Sequence, residues 1–245
     1  MVQEAVDALV SAEVILGYKT YLDLIPDLLE GKKVLSSGMR KEIDRCQAAI
    51  DYALSGRSVA LVSSGDAGIY GMAGLVLDIC RERELAVCEW DEEGEADFRL
   101  QVIPGIPAFN AAASLTGAPL MHDFASVSLS DHLTPWEMIE KRLAAAAEAD
   151  FVLAIYNPRS NSRPDVLERA QQIILRYRSA QTPAAVVRRA MREGQWKCIT
   201  VLGQLPINEV DMQSVVIVGN SRTYLWKGWM VTPRGYLDKY GVDVG

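Results

Sequence analysis

Four short segments place ligand-gripping or reactive residue types where a strand gives way to a turn. In SVALVSSGDAGIYGMAGLVLDIC (58–80), a β-branched run enters a glycine-rich turn and then a helix. Gly65, Asp66 and Ala67 thereby fall at a strand's carboxyl end, with Ile69 and Tyr70 just beyond. Open α/β sheets bind ligands at that edge. Glycine lets main chain approach a ligand closely, and the first turn of a helix offers unpaired N–H donors. Neither GxGxxG nor GxxxxGK[ST] occurs, so the turn is not one of the two common phosphate loops. Asp66 reads equally well as a helix cap and as a ligand contact.

The other three segments carry weaker signals. In LQVIPGIPAFNAAASLTGAPL (100–120), Pro104, Gly105 and Pro107 fix a tight turn ahead of a small-residue helix that opens at Ala108, a pattern that close packing also explains. FVLAIYNPRSNSRPDVL (151–167) ends a hydrophobic strand in Tyr156 and Asn157. These groups, with the basic loop that follows, could hold an adenine edge or a carboxylate, although Asn-Pro is also an ordinary turn starter. SVSLSDHLTPWEMIEKRL (126–143) sets Asp131 and His132 before a helix expected to have Thr134 as N-cap and Pro135 as its first residue. No Ser-His-Asp order, metal-ligand set or paired-carboxylate spacing stands out, so hydrolase and metal-enzyme readings lack support.

Strand-like runs at 14–16, 58–63, 100–103, 151–156, 185–187, 199–202 and 215–218 position these segments. Amphipathic helices alternate with many of them. In KEIDRCQAAIDYAL, Ile43, Cys46, Ile50 and Leu54 recur at spacings of three and four, which predicts one apolar helix face. The alternation signals an α/β protein, with a largely parallel sheet in the first half and a mixed sheet with hairpins in the second. The join is expected near GAPLMHDF (117–124), giving domains 1–120 and 121–245.

Composition excludes other classes. The chain has 245 residues, 49% hydrophobic, long enough to bury a substantial core. None of its apolar runs approaches the roughly 20 residues of a membrane span. Its net charge of -7 argues against a nucleic-acid-coating role, which needs a basic footprint. Basic clusters at 40–41, 159–163 and 188–192 could still meet an anionic small molecule, or simply be solvated faces. The four cysteines are scattered and the only histidines are His122 and His132, so no metal is expected and the thiols read as small buried hydrophobes. No export signal is visible at MVQEAVDALV, which implies a cytoplasmic protein. Residue chemistry alone stops at an α/β small-molecule enzyme.

Seven blocks taken in order carry a more specific signal: GYKTYLDLI (17–25), SSGMRKEIDRC (36–46), SSGDAGIYGMA (63–73), VIPGIPAFNAAA (102–113), SLSDHLTPWEMIEKR (128–142), IYNPRSNSRP (155–164) and VIVGNSRTYLWKGWMVTPRGY (216–236). Together they resemble the precorrin-3B C17-methyltransferase branch of the tetrapyrrole methylase family over nearly the whole chain. The resemblance implies two α/β domains with S-adenosylmethionine in the cleft between them, S-adenosylhomocysteine as product, and a homodimer. It implies methylation at C17 of precorrin-3B with ring contraction to precorrin-4, or the same step on a cobalt-bearing intermediate. Carried over by position, the cofactor contacts would be Gly65, Asp66, Ala67, Ile69, Tyr70, Ala108, Tyr156, Asn157 and Ala190. Substrate carboxylates would fall to Arg40, Arg159 and Arg189 with Tyr18 and Lys19, and proton movement to Asp131 and His132. The family pattern opens with a strand and a GxGPG-type loop, whereas this sequence opens on the helix that follows them. That departure implies either a shortened N-terminus or a non-catalytic tetrapyrrole-binding protein.

Overall fold

Where β-branched residues run without interruption, the chain forms strands buried on both faces, and the helices between them cover those faces. The computed structural model describes residues 1–241. It divides into two compact units, Met1–Pro107 and Ala108–Gly245.

The first unit runs α1 (Gln3–Ser11), β1 (Val14–Tyr18), α2 (Lys19–Leu22), β2 (Lys33–Ser37), α3 (Glu42–Leu54), β3 (Val59–Val62), α4 (Ala73–Glu82), β4 (Val87–Glu89) and β5 (Phe98–Leu100). Its main sheet is wholly parallel in the order β2-β1-β3, with Val14 opposite both Lys33 and Val59. β1 alternates cleanly. Ile15 packs with Leu9 and Ala12 on the α1 side, while Val14 and Leu16 meet Ala49 of α3 on the other.

β4 and β5 form a separate parallel pair. The strand expected at 100–103 instead ends at Leu100, because residues 101–103 have no neighbouring strand on which to build a ladder. α3 also departs from its expected stripe. Cys46 and Ile50 are buried, but Ile43 and Leu54 are 57% and 37% exposed, and Arg45 and Ala49 take the inner positions. Ile43 and Leu54 stand in the first and last turns of α3, outside the apolar cluster that takes in Cys46 and Ile50. Cys46 and Cys80 sit in one apolar cluster with Val76, where burial raises both thiol pKa values, that of Cys46 to about 11.

The second unit comprises α5 (Ala108–Thr116), β6 (Gly117–Ala118), β7 (Phe124–Ser128), α6 (Trp136–Glu148), β8 (Val152–Tyr156), α7 (Val166–Ile174), β9 (Pro183–Arg188), β10 (Trp196–Val201), β11 (Ser214–Val218), β12 (Tyr224–Trp226), β13 (Trp229–Val231) and α8 (Tyr236–Tyr240). Its five-stranded sheet has the order β10-β9-β11-β8-β7, with β7 and β8 parallel and the remaining neighbours antiparallel. Along β8, β9 and β11 alternate residues serve two cores. Leu153, Ile155, Val186 and Val216 face α6 and α7, whereas Val152, Val187, Val215 and Ile217 face Ala112 and Ala113 of α5.

That second core explains why the division falls at Pro107 and not near 117–124. α5, expected in the first domain, buries its alanines against the second sheet. α6 begins at Trp136 with Pro135 as its N-cap, one residue later than expected, and no side chain caps it. Among the described residues no helix is long and apolar enough to cross a membrane.

One ion pair in this unit joins a buried arginine to a half-exposed carboxylate. Arg178, 7% exposed, pairs with Asp150 and donates from Nη2 to the Phe151 carbonyl at 3.0 Å, and burial lowers its pKa. Asp150 in turn accepts the Ser221 backbone N–H at 3.0 Å. Removing one partner of such a pair strands a buried charge. Asp150→Ala is therefore expected to cost about 3 kcal/mol in urea unfolding, and Arg178→Met in that background should recover part of the loss. A further loss in the double variant would contradict this account.

Candidate active site

The glycine-rich turn after β3 is built by hydrogen bonds to a carboxylate. Asp66 Oδ2 accepts the Gly105 N–H at 2.9 Å and Oδ1 accepts the Gly68 N–H at 2.8 Å. Asp66 therefore does not cap α4, whose N-cap is Met72. It ties the turn after β3 to the Pro-Gly turn at 104–107. The bond from Gly105 is the largest influence that holds its pKa below the ordinary value of 3.8.

The two turns touch. A Cβ built on Gly105 would lie 1.8 Å from the Gly65 carbonyl oxygen, so only glycine permits the approach. Gly65 itself has φ +81°, and Tyr70 has φ +54°, a left-handed conformation that costs a side-chain-bearing residue of order 1–3 kcal/mol. Ile69 and Tyr70 are 38% and 53% exposed, so the far end of the turn offers an apolar edge to solvent.

In the second unit the candidate residues gather at the carboxyl end of β8. The Tyr156 hydroxyl accepts the Phe109 N–H at 2.9 Å and so satisfies one of the unpaired donors at the start of α5. Ala108, Tyr156 and Ala190 all pack against the same apolar cluster. Asn157, with φ +50°, donates from Nδ2 to Ser128 Oγ at 2.9 Å, which turns its amide oxygen away from that partner. Sequence reasoning missed Ser128. The alternation of SVSLS, which puts Ser126 and Ser128 on one face beside Tyr156, is the signal that would have found it.

The basic candidates separate into engaged and available groups. Arg159 donates to the Ile207 carbonyl at 2.7 Å and anchors the 207–209 turn. Arg189, left-handed at φ +51°, bonds Gln213 Oε1 through Nε at 3.0 Å. Lys19 pairs with Asp23 at 2.9 Å in an exposed i,i+4 bridge, worth at most about 1 kcal/mol and readily exchanged. Tyr18, at the end of β1, meets Tyr21 edge-on with centroids 5.1 Å apart. Arg40 is exposed, and among the described residues its guanidinium has no ion pair or hydrogen bond.

Asp131 and His132 are both exposed, and among the described residues no hydrogen bond or ion pair joins them. Asp131 faces Arg163 at 3.6 Å, and Arg163 also donates to the Leu129 carbonyl at 2.8 Å, so this arginine holds the SLSD loop. His132 has no polar partner among the described residues.

Residues 1–206 match the family of Tetrapyrrole (Corrin/Porphyrin) Methylases. Over 236 residues the chain is 52% identical to a probable cobalt-factor III C(17)-methyltransferase of Salmonella typhimurium, covering 96% of this chain and 93% of that protein. It is 38% identical over 247 residues to a precorrin-3B C(17)-methyltransferase of Sinorhizobium sp., covering 96% and 91% respectively. Among solved structures, the methyltransferase CobJ superposes with a TM-score of 0.86 at 35% identity, over 95% of this chain and 93% of that one.

The Asp66 link makes a signed prediction. Asp66→Ala leaves two N–H donors without their acceptor and should cost about 1–2 kcal/mol in urea unfolding at neutral pH. Because the folded-state pKa is depressed, this contribution is complete above 3.8 and disappears only as pH falls through the lowered value. Wild type and variant should therefore converge in acid alone. Convergence near neutrality would show that the carboxylate is not the stabilising group.

Proposed function

Because the chain belongs to the tetrapyrrole (corrin/porphyrin) methylases, we propose that it transfers a methyl group from S-adenosylmethionine to C17 of a precorrin-3B-type macrocycle in cobalamin biosynthesis. The observation that carries this reading is the pairing of the family match with two carboxylate-linked glycine turns at the end of the first unit's sheet. Close-approaching main chain suits a nucleoside thioether. The Gly65–Gly105 contact leaves no Cβ in the way, and Ile69 and Tyr70 supply apolar surface for a purine.

The cofactor brings an activated methyl on its sulfonium. The protein's share is therefore positioning and exclusion of water. In this reading the cofactor contacts are Gly65, Asp66, Ala67, Ile69, Tyr70, Ala108, Tyr156, Asn157 and Ala190. Asp66 does so mainly by holding Gly105 and Gly68 in place. Arginine's planar fork suits carboxylates, and Arg40 is the candidate whose guanidinium has no partner among the described residues, with Arg159, Arg189, Lys19 and Tyr18 in supporting places. Asp131 and His132 remain the proposed acid and base for ring contraction. We place the enzyme in the cytoplasm as a homodimer.

The higher identity to the cobalt-factor III enzyme favours a substrate that already carries cobalt. Incubation with S-adenosylmethionine and either cobalt-factor III or precorrin-3B tests both forms by mass spectrometry and absorbance. The expected product has gained one methyl group, faster from the cobalt-bearing macrocycle. Macrocycle binding with no S-adenosylhomocysteine released would leave a binding protein in place of an enzyme.

Two variants probe the site. Gly105→Ala should weaken S-adenosylhomocysteine binding in calorimetry at least tenfold, or about 1.4 kcal/mol. Undiminished affinity would remove the turn from the cofactor site. Asp131→Asn and His132→Ala should each slow turnover without changing that affinity, and if both turn over normally neither is the acid or base.

A further inference from the structure

One cation on the inner face of α3 lacks a close counter-ion. Arg45 is 5% exposed, and its nearest carboxylate oxygen, Oε1 of Glu42, stands 3.9 Å away. Neutral atoms take its donors. Nη1 donates to Ser37 Oγ and reaches the Gly38 carbonyl at 3.5 Å, and Nε lies 3.2 Å from Met72 Sδ. Ser37 ends β2. Met72 caps α4, and its N–H donates to Ser63 Oγ at 3.3 Å. Arg45 thus touches the loop after β2 and the exit of the glycine-rich turn.

Stability alone does not account for an arginine here. Burying a weakly paired charge costs several kcal/mol, and hydrophobes of like volume often do as well or better in such places. The loop that Arg45 holds is itself strained. Arg40 adopts φ +64°, and its N–H donates to Glu42 Oε1 at 3.2 Å, the same oxygen that faces Arg45. A left-handed residue with a long side chain persists where its surroundings over-determine it. Ser37 and Gly38 are fixed by Arg45, and Arg40 is fixed by Glu42. What this frame presents is the guanidinium of Arg40, which has no partner among the described residues.

We propose that Arg45 is a positioning residue for the methyl-transfer reaction: it fixes the Ser37–Lys41 loop so that Arg40 meets a carboxylate of the macrocycle in a set orientation. The inference rests on the reading of Arg40 as a substrate contact. Arg45 touches no substrate in this scheme and acts through Arg40.

Steady-state kinetics of the full chain with S-adenosylmethionine and cobalt-factor III test it, using Arg40→Ala, Arg45→Met, Arg45→Lys and the Arg40→Ala/Arg45→Met double variant. Arg45→Met should raise KM for the macrocycle about tenfold with kcat within twofold. S-adenosylhomocysteine affinity should stay within about twofold of wild type, because Asp66 holds the cofactor turn independently. Lysine should not rescue KM, since it keeps the charge but loses the fork. The double variant should be no worse than Arg40→Ala alone, the non-additivity expected of two residues acting as one unit.

Additive losses, or rescue by lysine, overturn the proposal while leaving Arg40 as a substrate contact. An Arg40→Ala enzyme with unchanged KM would instead remove Arg40 from the substrate site, and this inference with it. If Arg45→Met does not fold, Ser37→Ala removes the Nη1 acceptor and leaves the buried side chain in place. It should raise KM in the same direction, and an unchanged KM there counts against the proposal.

Discussion

A single carboxylate sets the shape of the turns at the carboxyl end of the first unit's sheet. Asp66 bonds the N–H of Gly105, 39 residues further along the chain, and that of Gly68 in its own turn. Two loops that leave different strands are thereby tied together through one side chain. The small residues around them follow from this closeness. Where a carbonyl and an α-carbon meet as tightly as Gly65 and Gly105 do, no side chain can intervene. Main chain held this way presents backbone geometry in place of side chains along that edge of the unit.

The second unit solves a related problem with neutral groups. The Tyr156 hydroxyl closes the start of α5, and the Asn157 amide is turned by Ser128. Arginines elsewhere in this unit are mostly committed to structure. Arg159 and Arg163 hold carbonyls, Arg178 is buried with Asp150, and Arg188 lies over the Trp196 ring. A clustering of basic residues in the sequence thus says little about which cations face a ligand, because a guanidinium has five donors and the fold claims many of them. Arg40 differs because the loop that carries it is held by other residues.

Much of the fold was legible in the sequence because its strands are short β-branched runs with helices between them. The stretches near 14, 58, 151, 185, 199 and 215 all became strands. The turns of the site were legible for a related reason, since glycine and proline at the end of an apolar run have few other uses. What escaped depended on distant partners. The run at 100–103 has a strand's composition but no neighbour to pair with past Leu100. Arg45 occupies a position where helical periodicity alone reads as polar and outward, and only the meeting of β2, α3 and α4 shows it buried. α5 lies on the other side of the expected join because alanines carry a weak hydrophobic signal, and which sheet they pack against is decided by shape. Likewise the partner of Asp66 could not be read from local spacing, which left cap and ligand contact evenly weighted.

The placement of β11 bears on how the chain is made. This strand comes last of the five in sequence yet lies at the centre of the sheet, between β9 and β8, with every residue buried. Until β11 has been synthesised, the facing edges of β8 and β9 have no common neighbour and their ladder groups stay unpaired, so the five-stranded sheet closes late in synthesis. A nascent chain stalled before that strand would present two open strand edges, a template for pairing with other chains that chaperones would have to shield.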